Sequence, residues 1–293
     1  MNTNISMKRY SFIYITVLLS ILSFSCVQSQ QKFPSPKGYN LTKPLKYRMP
    51  DDLLEISGLS FIKGDPSRFF AIQDEEGKLF FGKLGAERVS HTKFGKHGDY
   101  EDVAICGNFV TVLKSNGKLY TFPLKEINDT ELTNVKEIDN LLPGGEYESM
   151  YADETAHKLY ILCKNCDDEK TTKSSSGYVF NIAPDGTLQA AGNFKIDVKE
   201  IVKQTKDEKI KFRPSAMAKN PVTREWYIVS SVNKLLVVAN ASWKVTAVYP
   251  LDHKILLQPE GLAFDKQGNM YISNEGDEFS RGNILKFSYL NAK

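Results

Sequence analysis

Short runs of alternating apolar and polar residues recur along the chain, separated by turns rich in glycine, asparagine and aspartate. The clearest case is Gln258–Phe287, in which Gly261–Phe264, Met270–Ser273 and Asn283–Phe287 are apolar and a turn at Asp265–Gly268 separates the first two. These runs have a period of two and contain many Val, Ile, Tyr and Phe residues. That pattern predicts strands joined by hairpins rather than helices.

Four earlier segments resemble this one, which gives five copies of one unit. The steps between equivalent inner-strand positions are 44, 47, 67 and 45 residues, counted from Gly58 through Asp102, Ser149, Ala216 and Gly261. The long step contains two insertions, Asn165–Ser176 and Asp197–Lys211. A repeat period near 45 residues is typical of propellers.

A further apolar segment precedes each copy, so the repeat begins with its outer strand. The first of these segments, Leu45–Pro50, would then complete the last blade and close the ring without an open edge. The sequence therefore predicts an all-β, five-bladed β-propeller closed by its N-terminal strand. A sixth blade within the 67-residue step is the alternative. The one helix candidate, Val198–Lys206, is charged on most faces and is predicted to be a solvated surface segment.

The first 25 residues have the pattern of a secretory signal. Lys8 and Arg9 precede an apolar run, Phe12–Leu22, and small residues precede Cys26. The run is short for a membrane-spanning helix. We expect cleavage before Cys26 and lipidation of that cysteine; ordinary cleavage nearby, for example after Ser29, is the alternative.

This interpretation divides the chain into a signal peptide at 1–25, a tether at 26–42 and a propeller domain at 43–293. It predicts a membrane-anchored lipoprotein of the cell envelope, with a soluble periplasmic protein as the alternative. The formal charge is +3, and removal of Lys8 and Arg9 leaves a nearly neutral domain. Such a domain lacks the basic surface that nucleic-acid binding needs.

Three cysteines remain beyond Cys26. Cys106 lies in an apolar strand and is predicted to be a small buried residue. Cys163 and Cys166 form an isolated Cys-x-x-Cys pair, and His157 is the only histidine near it in sequence. In an exported protein we expect a local disulfide, with free thiols, half of a zinc site or a redox-active pair as alternatives.

Acidic residues occupy equivalent positions at the start of the innermost strands. These positions hold Ser57, Glu101, Glu148, Ser215 and Glu260, and the second strands end at Asp74, Lys114, Lys164, Ser231 and Asn274–Glu275. The repeat brings them to one mouth of the central channel. Glu101, Glu148, Glu260, Glu275 and Asp74 are the candidate metal ligands, and Lys114, Lys164 and Arg213 the candidate ligand-binding cations. The glutamates would repel one another unless calcium, a shared proton or the lysines neutralise them.

The inner-strand segments also resemble the SdiA-regulated, YjiK-like β-propeller family. The similarity covers roughly Leu45–Phe287 and is most specific in QPEGLAFDKQGNMYISNEGDE. It implies an exported or membrane-attached propeller, and for some relatives a link with calcium and a likeness to propeller phytases. Ser57 and Ser215 depart from the pattern, since acidic residues stand at the equivalent positions.

The sequence favours a lipid-anchored, extracytoplasmic binding or interaction module, with a protein or small molecule bound at the channel mouth and calcium as a possible requirement. It holds no Gly-x-Ser-x-Gly, His-Glu-x-x-His or Walker motif. The alternative is a metal-dependent hydrolase of phosphoesters, as in phytases, or of lactones. That enzyme would need a metal with an open coordination position beside the cations.

Overall fold

The computed structural model describes residues 33–166 and 173–290, which form five antiparallel sheets of four strands each. The first strand, β1 (Leu45–Arg48), belongs to the last blade. Blade 1 comprises β2 (Ile56–Phe61), β3 (Phe69–Gln73), β4 (Lys78–Gly82) and β5 (Ser90–Lys93). Blade 2 comprises β6 (Tyr100–Cys106), β7 (Phe109–Lys114), β8 (Leu119–Pro123) and β9 (Lys136–Ile138).

The three remaining blades follow the same order. Blade 3 comprises β10 (Gly145–Asp153), β11 (Lys158–Cys166), β12 (Ser174–Ile182) and β13 (Leu188–Asp197). Blade 4 comprises β14 (Ala216–Lys219), β15 (Trp226–Ser230), β16 (Leu235–Ala239) and β17 (Val245–Pro250). Blade 5 comprises β18 (Pro259–Phe264), β19 (Met270–Asn274), β20 (Asn283–Phe287) and β1. The five-bladed prediction is confirmed, and the long step between copies contains no sixth sheet in the described residues.

The N-terminal strand closes the ring. β1 pairs antiparallel with β20, from Leu45 opposite Lys286 to Arg48 opposite Asn283. The backbone N–H of Met49 extends this contact by donating to the carbonyl of Gly282 at 2.9 Å. Without β1, β20 would present an unpaired strand edge.

The packed domain begins before the predicted boundary at residue 43. Tyr39 and Leu41 are buried in the core cluster between blades 4 and 5. The Tyr39 hydroxyl donates to the carbonyl of Gly268 at 2.6 Å and accepts from the Asn220 side chain at 2.7 Å. The end of the predicted tether is therefore part of the fold. The predicted signal peptide and Cys26 lie outside the described residues.

The predicted helix is present as α1 (Val198–Thr205). The Asp197 side chain caps its start by accepting from the backbone N–H of Lys199, and Lys206 ends it in the left-handed conformation. The expectation of a merely solvated segment was wrong, because Ile201 is completely buried among residues of blades 3 and 4. No helix in the described ranges is long and apolar enough to cross a membrane.

The innermost strands β2, β6, β10, β14 and β18 contact one another in sequence around the channel, and β18 contacts β2. Their backbones approach closely. A Cβ atom at Gly58 would lie 2.6 Å from the Cα of Asp102, so this position cannot carry a side chain without displacing the next blade. The buried carboxylate of Asp102 in turn accepts from the backbone N–H of Met150 at 2.7 Å. These contacts hold blades 1, 2 and 3 in a fixed arrangement around the channel.

Candidate functional site

Three glutamates occupy β-bulges at the same point of three innermost strands. Glu101 is the extra residue between the pairs Tyr100–Lys114 and Asp102–Leu113. Glu148 and Glu260 are the extra residues at the equivalent places of β10 and β18. The ladder of β2 is irregular there too, around Ser57. A bulge breaks the alternation of a strand and redirects a side chain, and bulges are frequent beside functional sites.

The glutamates influence one another electrostatically, as their predicted convergence requires. Burial, followed by the charges of Glu148 and Asp99, raises the pKa of Glu101 to about 10. Burial and then the charge of Glu260 raise the pKa of Glu148 to about 7. Burial also raises the pKa of Glu260. Each of these shifts favours the protonated form of the carboxyl group.

Lys164 is the central cation of this mouth. Its ammonium group bonds to Oε1 of Glu148, while Oε2 of Glu148 is buried and has no hydrogen-bond partner among residues 33–166 and 173–290. Burial alone would lower the pKa of Lys164, but Glu148, Glu101 and Glu260 together raise it. Lys164 therefore bonds to one of the three carboxyl groups and interacts with the other two through its charge. Lys164 is itself a bulged residue of β11.

Lys114 does not join this cluster, although the repeat makes it equivalent to Lys164. It lies in regular ladder pairing opposite Tyr100, and its ammonium group lies 5.3 Å from the centre of the Tyr100 ring.

Arg213 contacts the acidic mouth only through β11. Its guanidinium group donates to the carbonyl of Lys164 at 3.0 Å and to Oδ1 of Asn165 at 2.6 Å, which holds the β11 bulge in position.

The two serine positions contact acidic neighbours from the adjoining blade. Ser57 donates to Oε1 of Glu275 at 3.3 Å. Hydrogen bonds with Ser231 and Ser215 oppose the effect of burial on the pKa of Glu260. Blades that lack a glutamate at the mouth therefore supply hydroxyl groups to the glutamates of blade 5.

Glu275 and Asp74 extend the acidic surface toward blade 1. Burial, then Glu260 and Asp74, raise the pKa of Glu275 to about 8, and Gln258 donates to its Oε2 at 3.0 Å. Burial, then Glu55 and Glu75, raise the pKa of Asp74 to about 6. Oδ1 of Asp74 is buried, and no described residue forms a hydrogen bond with it. All five predicted acidic residues thus belong to one electrostatically linked group.

Lys234 and Gln258 are mouth residues that the repeat pattern did not reveal. The ammonium group of Lys234 bonds to the carbonyl of Leu257, and burial lowers its pKa while Glu260 opposes that effect. Both residues lie in loops next to strand ends, where sequence spacing between blades varies. Residues 33–166 and 173–290 contain no three His, Cys, Asp or Glu side chains already grouped to hold a metal ion.

Cys163 and Cys166 flank Lys164 and form a disulfide in the structure, with their Cα atoms 5.9 Å apart. Gly145 lies opposite, and a Cβ atom there would lie 2.7 Å from Sγ of Cys166. The disulfide therefore fixes the backbone on both sides of Lys164. Cys106 is buried and unpaired, as predicted.

Comparisons with solved structures identify β-propellers. Glutaminyl cyclase from Myxococcus xanthus is 14% identical, with 83% of this chain and 93% of that chain covered and a TM-score of 0.53. A luciferin-regenerating enzyme is 9% identical, with 85% and 96% covered and a TM-score of 0.51. No family model matches the chain, and no curated protein matches it. At these identities the likeness supports the propeller fold alone.

Proposed function

We propose that this chain is an exported propeller of the SdiA-regulated, YjiK-like type, anchored by a lipid on Cys26, that binds a cationic partner at its acidic channel mouth. The basic start, the apolar run and the small residues before Cys26 support export and anchoring. The acidic mouth supports the binding role. The bound ligand would be calcium or a cationic group on a protein or small molecule.

The bulges carry the proposal. Three innermost strands each insert one extra residue at the same place, and that residue is a glutamate each time. Structural packing alone requires no charged group at a buried bulge, and clustered buried carboxyl groups are unfavourable unless they are compensated. A bound cation would supply that compensation.

Calcium fits the available donors. Carboxylate oxygens are its preferred ligands, and Oε2 of Glu148 and Oδ1 of Asp74 form no hydrogen bond within the described part of the chain. Because no three acidic side chains are already grouped in the described residues, calcium binding requires Glu101, Glu148 and Glu260 to turn toward a common point. A calcium-dependent module of this kind would change its mouth on binding the ion.

Exposed apolar side chains at the same end of the channel support a partner of some size. Phe279, in the loop between β19 and β20, is 93% exposed, and Val232 and Leu257 are also exposed in loops at the mouth end of blades 4 and 5. A partner that places a cationic group in the mouth would cover these side chains.

The contacts favour a binding module over a metal-dependent hydrolase. A phosphoester hydrolase at this mouth would hold the substrate phosphate with the cations Lys114, Lys164 and Arg213, beside a metal ion with an open coordination position. Lys164 is bonded to Glu148, Arg213 is bonded to the backbone of β11, and Lys114 lies over Tyr100. Assay of the purified domain against phosphoesters and lactones, with and without calcium, tests the hydrolase directly; turnover abolished by Glu148→Gln would favour the enzyme.

Thermal unfolding tests the cation. Chelator-treated protein should gain about 2.7 kcal/mol when free calcium reaches 100 times its dissociation constant, a rise in melting temperature of roughly 5–10 °C. Glu101→Gln should reduce the rise, and Glu87→Gln, an exposed residue in the loop between β4 and β5, should leave it unchanged. Identical melts with calcium, magnesium and chelator would contradict calcium binding.

A further inference from the structure

The channel contains a cavity of about 410 Å³ beyond the glutamates, at the ends of the innermost strands. Its walls come from all five blades and include Leu59, Val103, Met150, Ala218 and Leu262, which are all buried. Each of these lies two or three residues further along its strand than the mouth position. The cavity is therefore at the opposite end of the channel from the acidic cluster. Its volume lies in the range of small-molecule sites.

The side chains at the rim of this cavity that could bind a ligand are mainly cationic. Four cations line it: Lys63, Lys219, Arg224 and Lys266. Lys219 bonds to Asp153 at 3.1 Å, and its side chain is only 17% exposed. Lys63, Arg224 and Lys266 are exposed, and within the described residues none of them forms an ion pair within 4 Å.

The acidic residues of the rim already accept hydrogen bonds from other groups of the protein. Asp153 accepts from two backbone N–H groups of its own turn as well as from Lys219. Asp265 accepts from backbone N–H groups of its turn, from the Asn269 side chain and from the Tyr271 hydroxyl. Glu154 accepts from the backbone N–H of Gly107 at 3.3 Å. The lining therefore holds four cationic and three acidic side chains, and all three acidic side chains already accept hydrogen bonds from the protein.

We propose that this end of the channel binds a small organic anion, with its apolar body against the cavity walls and its carboxylate or phosphate group against Arg224 and Lys266. Burial of an apolar body in a preformed cavity provides affinity, and charge-assisted hydrogen bonds at the rim orient the anion. This site is separate from the acidic mouth and does not depend on the function proposed for it.

Titration calorimetry with phenyl phosphate tests the proposal. The full protein should bind one equivalent, more tightly than it binds either inorganic phosphate or benzyl alcohol, because only phenyl phosphate uses both the walls and the rim. Trp226 lies beside the rim, with its ring centre 5.5 Å from the ammonium group of Lys219, and Trp243 stacks on Trp226 with the ring centres 4.2 Å apart. We therefore expect tryptophan emission to change with the same saturation curve.

Arg224→Gln and Lys266→Gln should each weaken phenyl phosphate binding about tenfold, or about 1.4 kcal/mol. Lys125→Gln, which changes an exposed lysine on blade 2, is the matched control. Equal binding of inorganic phosphate and phenyl phosphate, no saturable binding at millimolar concentration, or affinity lost in Lys164→Gln but kept in both rim variants would each overturn the proposal.

Discussion

Replacement of Glu148 by glutamine should flatten the dependence of the protein's stability on pH. Glu148 is 8% exposed, and burial followed by the charge of Glu260 raises its pKa from an ordinary 4.5 to about 7. The folded state therefore holds this proton more tightly than the unfolded state. Its contribution to stability is complete below pH 4.5 and is lost as the pH rises through 7. Glutamine has nearly the same shape but cannot ionise.

The size of the effect follows from the pKa. At about 1.4 kcal/mol per pKa unit, the rise in the pKa of Glu148 from 4.5 to about 7 corresponds to roughly 3 kcal/mol. For a domain of this size, that is a change in melting temperature of roughly 5–10 °C. The variant also loses the partner of Lys164, so its absolute stability at pH 7 mixes two effects. The change in stability between pH 5 and pH 8 reports the proton of Glu148 together with those of the carboxyl groups coupled to it.

Urea unfolding at several pH values between 5 and 8, in the presence of a chelator, measures that change. We expect the wild-type protein to lose stability toward pH 8 and Glu148→Gln to lose roughly 2–3 kcal/mol less, because a part of the full difference lies outside this pH range. The Glu87→Gln control should follow the wild-type curve. Parallel curves for Glu148→Gln and the wild type would refute the idea that the mouth raises the pKa of Glu148.

Three further predictions concern other parts of the chain. A protein beginning at Asp52 lacks β1 and the Tyr39 packing, so it should aggregate or melt well below the parent; a soluble monomer of equal stability would contradict ring closure by β1. Cys163 and Cys166 should resist alkylation until reduced, as mass spectrometry can measure, and reduction should cost little stability because the loop is short; alkylation of both thiols in unreduced, freshly isolated protein would disprove the disulfide. Cys26→Ser should release the protein from membranes in cell fractionation, whereas mature protein without a lipid at Cys26 would rule out the anchor.

The repeat pattern predicted the ring because strand alternation and the spacing of turns are properties of the sequence itself. Equivalent positions in five blades must lie at equivalent points around a channel, so the repeat alone predicts that Glu101, Glu148 and Glu260 share one mouth. The same symmetry did not predict the difference between Lys114 and Lys164. The first lies in regular pairing and the second in a bulge. A bulge adds one residue to a strand without a distinctive residue type, so alternation alone does not reveal it.

The helix was mispredicted in its surroundings for a related reason. Its charged composition suggested a solvated segment, yet a single isoleucine, Ile201, fills a space between two blades. One apolar residue on a short helix is a weak signal, and the space that it fills is created by residues distant in sequence. Residues in loops, such as Lys234, were missed because loop length differs from blade to blade.

The pairing of β1 with β20 has a consequence for the order of assembly. β1 and β20 lie at opposite ends of the domain's sequence, so they cannot pair until almost the entire domain has been synthesised. Contacts between such distant segments slow folding, and the earlier blades must persist meanwhile as an open arc with two free edges. Blade 5 therefore closes the ring last, and loss of either β1 or β20 would open the ring at this blade.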